Sequence, residues 1–344
     1  MGESDAMTPV AQPKAEFRSA VARLLEVSAS ALTFTGLSGG VSSDIWRVDT
    51  AGTSYCAKCA LPRLKVAALW EAPTRRNAEE VRWLRTVRPW IGEQAAEVIA
   101  ADEQRGIAVL AWYDPQRWRN WKVELLSGRV NIELAGRLGS LLGTIASRGA
   151  EQPDLARSFD NRTLFDALRI DPFFRHLLPR YPAVAALISE LEQQQTTLIH
   201  GDFSPKNILV DDSGDIRILD AECATWGCAG FDPGYLLAHL LLKLEHTGNR
   251  ALLSAAKRFW QCYLRETRRP HRMRNQTHPL LQEQDLTRQV YLTLAGVLLA
   301  RVDGKSTVDY LTDAQQRSVR ARALTLLSQP PSAVTTLLRD WLAF

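Results

Sequence analysis

The stretch His200-Gly201-Asp202-Phe203-Ser204-Pro205-Lys206-Asn207 constrains this chain more than any other. It sets an Asp five residues before an Asn, between the apolar runs Thr197 to Ile199 and Ile208 to Val210. Asp220 follows thirteen residues after the Asn, at the end of another short apolar run, Ile216-Arg217-Ile218-Leu219. That order suits phosphoryl transfer from ATP. One carboxylate, Asp202, orients an attacking hydroxyl and receives its proton late. Asn207 and Asp220 offer hard oxygen donors for the magnesium that neutralises the phosphates, and Glu222 lies within reach of a second magnesium or its water shell. His200 reads as a brace for this loop. Lys206 reads equally as a phosphate contact or as a solvated charge. Asp232, in Gly230-Phe231-Asp232-Pro233-Gly234, reads as the N-cap of the apolar helix that follows, with bracing of the loop as a second role.

The chain has 344 residues, more than one core usually holds, so two lobes or domains are the default. A net charge of +4 is small for this size and gives no reason to expect nucleic acid as a partner. The longest apolar run, around Tyr235 to Leu242, is too short to cross a bilayer. The polar segment Met1 to Lys14 lacks the apolar stretch of a signal peptide, so a cytoplasmic location is expected. Five cysteines suggest no disulfide framework. Cys56 and Cys59 fall on opposite faces of a strand, which argues against zinc or redox chemistry.

Residues 1–14 read as a flexible N-terminus. Ala15 to Val27 has helical periodicity, and Leu32 to Leu61 reads as strands with a turn over Asp49 to Thr53. Asn77 to Val87 is an amphipathic helix; Val98 to Ala100 and Ile107 to Tyr113 are further strands. After Pro115 the texture turns helical. Helices are expected over Asn131 to Ser147, Pro182 to Gln194, Tyr235 to Glu245, Leu252 to Arg265, Gln282 to Ala300, Asp313 to Ser328 and Ala333 to Leu342. The pair of runs around the Asp202 motif gives the only strand signals there. Thr267 to His278 reads as an exposed loop. A sheet-rich part over 15–113 and a helix-rich part over 114–344 result.

The sheet-rich part carries its own chemistry. Gly36 to Ser43 turns between two strands. Gly39 and Gly40 would let the backbone approach phosphate oxygens, and Ser42 and Ser43 would donate to them. Lys58 sits one strand later inside an apolar run, where a buried ammonium needs an anion. ATP phosphate is the natural one. Glu80 on the following helix is the preferred carboxylate partner of Lys58, with Glu79 as the alternative.

These residues resemble the aminoglycoside phosphotransferase, choline kinase and methylthioribose kinase group, small-molecule relatives of the protein kinases. The likeness runs from about Phe34 to Tyr310. It is most specific at Leu198-Ile199-His200-Gly201-Asp202 through Asn207, at Ile218-Leu219-Asp220-Ala221-Glu222 and at Phe231-Asp232-Pro233. It implies an α+β, two-lobed, protein-kinase-like fold with ATP and Mg²⁺ in the cleft. Trp118-Arg119-Asn120-Trp121 and Trp226 to Leu240 look closer to methylthioribose kinase than to the antibiotic kinases. Ser204 to Asn207 departs from that enzyme and keeps the Asn of the antibiotic and choline kinases.

From Phe231 to the C-terminus sixteen Lys and Arg face nine Asp and Glu. A pocket for a polycationic aminoglycoside should be acidic, so a neutral or anionic hydroxyl compound such as a sugar is the favoured acceptor. Arg301 is a candidate contact to it, although a helix-terminal role accounts for it equally. Trp112, Trp118 and Trp121 near the lobe junction read as core packing first and stacking surfaces second. The expected function is an ATP- and Mg²⁺-dependent phosphotransferase acting on a small-molecule hydroxyl. The rivals are an aminoglycoside or macrolide kinase conferring resistance and a non-catalytic nucleotide-binding regulator. ATP against GTP, and a homodimer against other assemblies, are left open.

Overall fold

The computed structural model describes residues 13–37, 42–63, 73–269 and 282–342. Gly39, Gly40, residues 1–12 of the segment read from sequence as a flexible N-terminus, and residues 270–278 of the run read as an exposed loop lie outside those residues. The chain opens with α1 (Ala15–Leu24), β1 (Thr33–Gly36), β2 (Ser43–Asp49) and β3 (Ser54–Ala60). Then come α2 (Arg76–Ile91), β4 (Val98–Asp102) and β5 (Ile107–Ala111). The five strands form one antiparallel sheet in the order β1-β2-β3-β5-β4. Lys58 lies mid-strand in β3, opposite Ile45 of β2 and Ala108 of β5. Helix α1 covers the outer face through Phe17 and Val21, which pack with Phe34, Trp46, Val48 and Val109. It ends three residues before the expected Val27, where Glu26 takes a left-handed φ of 56°.

The remainder is mainly helical. It runs β6 (Arg119–Asn120), α3 (Trp121–Leu126), α4 (Ile132–Ala150), α5 (Leu155–Ser158) and α6 (Arg162–Phe165), then a wide-turned helical segment, Asp166–Phe174. There follow α7 (Ala185–Gln193), β7 (Thr197–Ile199), β8 (Ile208–Val210), β9 (Ile216–Ile218) and β10 (Thr225–Gly227). Last come α8 (Phe231–Thr247), α9 (Ala251–Thr267), α10 (Glu283–Asp303), α11 (Asp313–Ser328) and α12 (Val334–Asp340). Strands β6, β8 and β9 form one small sheet, and β10 pairs with β7. Three elements thus correct the strand reading of this half, β6, β9 and β10. Each is only two or three residues long and contains polar or glycine positions, so none is long enough to show a strand pattern. The run from Leu155 to Leu177, given no element from sequence, is helical in short pieces, with Pro172 inside the wide-turned segment Asp166–Phe174.

One core joins the two parts. Trp83, Leu84 and Val87 of α2 pack in the same apolar cluster as Leu138 and Ile145 of α4, Phe203, Ile218 and the α8 leucines. Trp118 and Trp121 are buried, in keeping with their packing role. No helix among the described residues is long and apolar enough to cross a membrane.

Helix α4 lies closely on α9. Asn131 caps its start by accepting from the Leu134 N–H at 3.0 Å. Gly136, Gly139 and Gly143 then face α9, and a Cβ on Gly139 would meet the Phe259 carbonyl far inside van der Waals contact. Alanine normally gains about 1 kcal/mol over glycine inside a helix. Here that sign should reverse: Gly139→Ala is expected to destabilise by about 2–4 kcal/mol through overpacking. Urea unfolding checks this, and an unchanged or raised midpoint would mean that α4 and α9 separate freely.

Candidate active site

Lys58 is buried, and its Nζ lies 2.7 Å from Glu80 Oε2 and 2.6 Å from Asp220 Oδ1. Glu80 Oε1 also accepts the Asp220 backbone N–H at 2.9 Å. Glu79 turns the other way, to Arg82 Nη1 at 2.7 Å and Asn161 Nδ2 at 2.5 Å. Of the two acids, Glu80 therefore reaches Lys58. Burial works to discharge Lys58, but the Asp220, Glu80 and Glu222 carboxylates outweigh it and hold its pKa well above the usual lysine value. Asp220, opposed by its own burial, is held below the usual carboxylate range by Lys58 and Lys206.

Asp220 adopts a left-handed φ of 64°, rare for a residue with a Cβ. The turn aims its carboxylate back at Lys58. Glu222 pairs with Arg76 Nε at 3.2 Å. Burial and the nearby Asp220 raise Glu222 to about 7. Ser43 faces inward, and its hydroxyl donates to Asn77 Oδ1 at 3.3 Å. The Ser42 carbonyl accepts from Arg76.

Across the cleft, Asp202 is buried between two cations. Its Oδ2 lies 2.8 Å from Arg169 Nη2 and 3.0 Å from Lys206 Nζ. Burial alone would raise its pKa, yet Arg169 and Lys206 hold it far below the usual range. Lys206 thus has a defined carboxylate partner while its side chain stays half exposed. Asn207 donates Nδ2 to the Asp202 carbonyl at 2.9 Å, which leaves Oδ1 as its free donor oxygen.

The loop that carries Asp202 is fixed from three sides. Asp232 accepts the His200 N–H at 2.7 Å and the Gly201 N–H at 3.0 Å. Asp232 falls in the first turn of α8, which starts after Gly230 and has no side-chain cap. Its carboxylate is spent on the loop instead, so the helix-cap reading is corrected and bracing is its role. His200 is buried, and desolvation lowers its pKa to about 4, so the ring is neutral. Nδ1 accepts the Asp202 N–H at 3.2 Å, which assigns the proton to Nε2 and makes it a donor to the Leu219 carbonyl at 2.9 Å. Arg169 Nε donates to the Gly201 carbonyl at 2.7 Å. Gly201 has a φ of 76°, and an added Cβ there would collide with the Cys223 carbonyl.

A cleft of about 780 Å³ connects Lys58, Glu80, Asp202, Asn207, Asp220 and Glu222. Trp112 and Tyr113 line one end. At the other end stand Arg301 and Lys243, both buried. Arg301 Nη1 reaches the Ser306 carbonyl and hydroxyl, each at 2.9 Å, and Nη2 reaches the Tyr235 hydroxyl at 2.9 Å. Sequence reasoning missed Arg169, Arg76 and Lys243. Lys243 left one signal, a lone cation inside the apolar run of α8. Arg169 left none, because its segment has no regular periodicity.

The donor set fits a hard cation. Asn207 Oδ1, Asp220 and Glu222 are oxygen ligands beside one cleft, and magnesium keeps few protein ligands and takes the rest from phosphate and water. Among the described residues no three His, Cys, Asp or Glu side chains form a self-sufficient metal cage.

A five-stranded antiparallel sheet above a helical lobe, with a buried Lys–Glu pair facing an Asp-bearing loop, defines a two-lobed kinase-like protein. The chain belongs to the phosphotransferase enzyme family, whose profile matches residues 33–274. It is 28% identical over 215 residues to the methylthioribose kinase of Geobacillus kaustophilus (strain HTA426), covering 54% of each chain. It is 29% identical over 226 residues to that of Yersinia pseudotuberculosis serotype O:3 (strain YPIII), covering 56% of this chain and 54% of the relative. The chain therefore spans about half the length of the curated relatives it matches. A solved structure from Ralstonia eutropha JMP134, provisionally described as an aminoglycoside phosphotransferase, superposes with a TM-score of 0.52 at 15% identity. It covers 91% of this chain and 96% of its own, a likeness of fold.

Lys243 carries a prediction of its own. Burial first, then Lys122 and Arg301, push its pKa from 10.5 down to about 7. A base whose folded pKa is depressed adds stability only above its unfolded pKa. That stability is lost as pH falls from about 10.5 through about 7. Lys243→Met should therefore stabilise on the order of 3 kcal/mol at pH 6, and the gain should shrink toward pH 10. Urea unfolding at the two pH values checks it; a gain independent of pH would show that lost charge is not the cause.

Proposed function

We propose that this chain is an ATP- and Mg²⁺-dependent phosphotransferase whose acceptor is a hydroxyl of a small, sugar-like, non-polycationic molecule. The observation that carries this reading is the buried Asp202 carboxylate, held between Arg169 and Lys206 and opening onto the cleft that Lys58 and Asp220 also line. Family membership supports the reaction class, and the methylthioribose kinase relatives support a sugar-like acceptor. The basic end of the cleft, with Arg301 and Lys243, disfavours a polycation.

In this reading Lys58, kept charged by Glu80, contacts the nucleotide phosphates. Asn207 Oδ1 and Asp220 would hold magnesium, with Glu222 beside them. Magnesium bound there supplies charge neutralisation on the phosphate oxygens. Asp202 accepts a hydrogen bond from the acceptor hydroxyl and sets its oxygen in line for attack. The new P–O bond forms to that oxygen, the bond to the ADP oxygen breaks, and the hydroxyl proton passes to Asp202. A carboxylate with so low a pKa is a weak base, which fits a loose transition state where the proton leaves late. Arg169 is a positioning residue, since it touches Asp202 and the Gly201 carbonyl.

The test is ADP release from MgATP with sugars, nucleosides, amino alcohols and aminoglycosides as acceptors. Asp202→Asn should lower kcat by about a thousandfold or more, with MgATP affinity within about threefold of wild type. Asp220→Asn should lose the magnesium-dependent part of nucleotide binding. Turnover in Asp202→Asn equal to wild type would sink the catalytic assignment. Tight MgATP binding without turnover on any acceptor would favour the regulatory alternative.

A further inference from the structure

The far end of the cleft holds two basic side chains with no counter-charge. Lys243 and Arg301 are buried at 1% and 8% exposure and both line the cavity. Among the described residues no carboxylate lies within 4.0 Å of either one's nitrogens. The nearest charged groups by sequence are already engaged: Glu245 pairs with Arg322, and Asp303 with Arg180 and Arg320. The contact recorded for Lys243 Nζ is the His239 carbonyl at 3.3 Å. Arg301 Nη2 lies 3.4 Å from His239 Nε2, and its Nε is buried without a partner.

His239 cannot supply the missing charge. Burial first, then Arg301 and Lys243, keep it neutral. Lys122, on the cleft wall from α3, adds a third positive charge. Among the described residues Asp309 is the one carboxylate on this rim, and it is exposed with no ion pair among them. Buried cations are retained where an anion completes them, because leaving a desolvated charge unpaired is costly. The other buried charges that line this cleft illustrate the rule: Lys58, Glu80, Arg169, Asp202 and Glu222 are all ion-paired. The cavity at Lys243 and Arg301 is open, so the missing partner can arrive with a ligand.

We propose that the acceptor carries an anionic group, a carboxylate or a phosphate ester, seated on Lys243 and Arg301 while its hydroxyl meets Asp202. This deepens the kinase reading and rests on it only for the role of Asp202. The geometry of the floor supports one molecule bridging the two points. The Tyr235 hydroxyl that Arg301 holds belongs to a ring 5.9 Å from the Arg169 guanidinium, and Arg169 holds Asp202. The span between the anion seat and the catalytic carboxylate is thus little more than one aromatic ring and one guanidinium, the reach of a small hydroxy acid or sugar phosphate.

The test separates binding from turnover. The full-length protein, saturated with magnesium and non-hydrolysable AMP-PNP so that the nucleotide phosphates are already in place, is titrated calorimetrically with matched pairs. Glycerol is set against glycerate for the carboxylate arm, and ribose against ribose 5-phosphate for the phosphate arm. The charged member of at least one pair should bind about tenfold or more tightly than its neutral partner. Lys243→Met and Arg301→Met should each abolish that preference and leave AMP-PNP affinity within about twofold. The Lys243→Met protein is expected to be more stable than wild type, so loss of folding does not cloud its result. Failure of every charged member to outbind its neutral partner overturns the proposal, as does a preference that survives both substitutions. A preference seen only without AMP-PNP also overturns it, since the anion would then occupy the nucleotide site. The titrations need no turnover, so an inactive enzyme that keeps the preference would sink the kinase reading and leave the anion seat at Lys243 and Arg301 standing.

Discussion

The rest of the site depends on one buried cation, Lys58, shared between Glu80 and Asp220. The three residues come from β3, α2 and the turn after β9, so their contact fixes the sheet, its helix and the Asp220 turn at one point. Taking away one member of such a buried group costs about 3–5 kcal/mol, because the charges left behind are neither solvated nor paired. The network therefore holds the Asp220 turn in its left-handed conformation against the intrinsic preference of an Asp backbone. It also leaves one negative charge in excess on this side of the cleft. That is the sign a magnesium-bearing nucleotide finds favourable through its metal.

Helix α2 extends this control beyond Lys58. Glu79 reaches Asn161, whose amide also donates to the Ala224 carbonyl at 3.1 Å. Trp83, one turn later, packs edge-on to the His200 ring with centroids 4.9 Å apart. Glu79, Glu80 and Trp83 of one helix thus reach Asn161, Lys58 and the loop that bears Asp202. Rotating or shifting α2 would disturb all three at once. A site built this way gains its precision from the packed core that α2 shares with α4 and α8, not from the loops that display the functional groups.

Much of this was legible in the sequence because the chemistry is local there. Asp202, Asn207 and Asp220 stand in short segments bounded by apolar runs, and the strands around the first two follow from those runs. Lys58 was legible by contrast with its apolar neighbours, and Glu80 by helical spacing against Leu84 and Val87. What stayed hidden depends on approach in space. Asp232 looks like a helix cap because acids favour first turns; only the fold shows the His200 and Gly201 amides turned toward it. Ser43 reads as a free hydroxyl at the turn; only the fold shows Asn77 accepting from it. Arg169 reaches Asp202 from a segment without regular periodicity, 33 positions away in the chain. No pattern of residue types encodes that distance.

Charge is graded along the cleft, and the gradient bears on catalysis as well as recognition. Lys58, Glu80, Asp220, Glu222 and Arg76 sum to one net negative charge when all are ionised, whereas Asp202 with Arg169 and Lys206 sums to one net positive charge. Arg301 and Lys243 extend the positive end. In the phosphoryl transfer proposed above, the reacting group would pass between these zones, with negative charge building on the leaving oxygen and falling on the nucleophile. Cations around Asp202 keep that carboxylate ionised and, in the proposed reading, would lower the cost of bringing an anionic acceptor beside a phosphorylated nucleotide. The same cations make Asp202 too weak a base to strip the hydroxyl early. Orientation of the acceptor, not deprotonation of it, is then the contribution this arrangement favours.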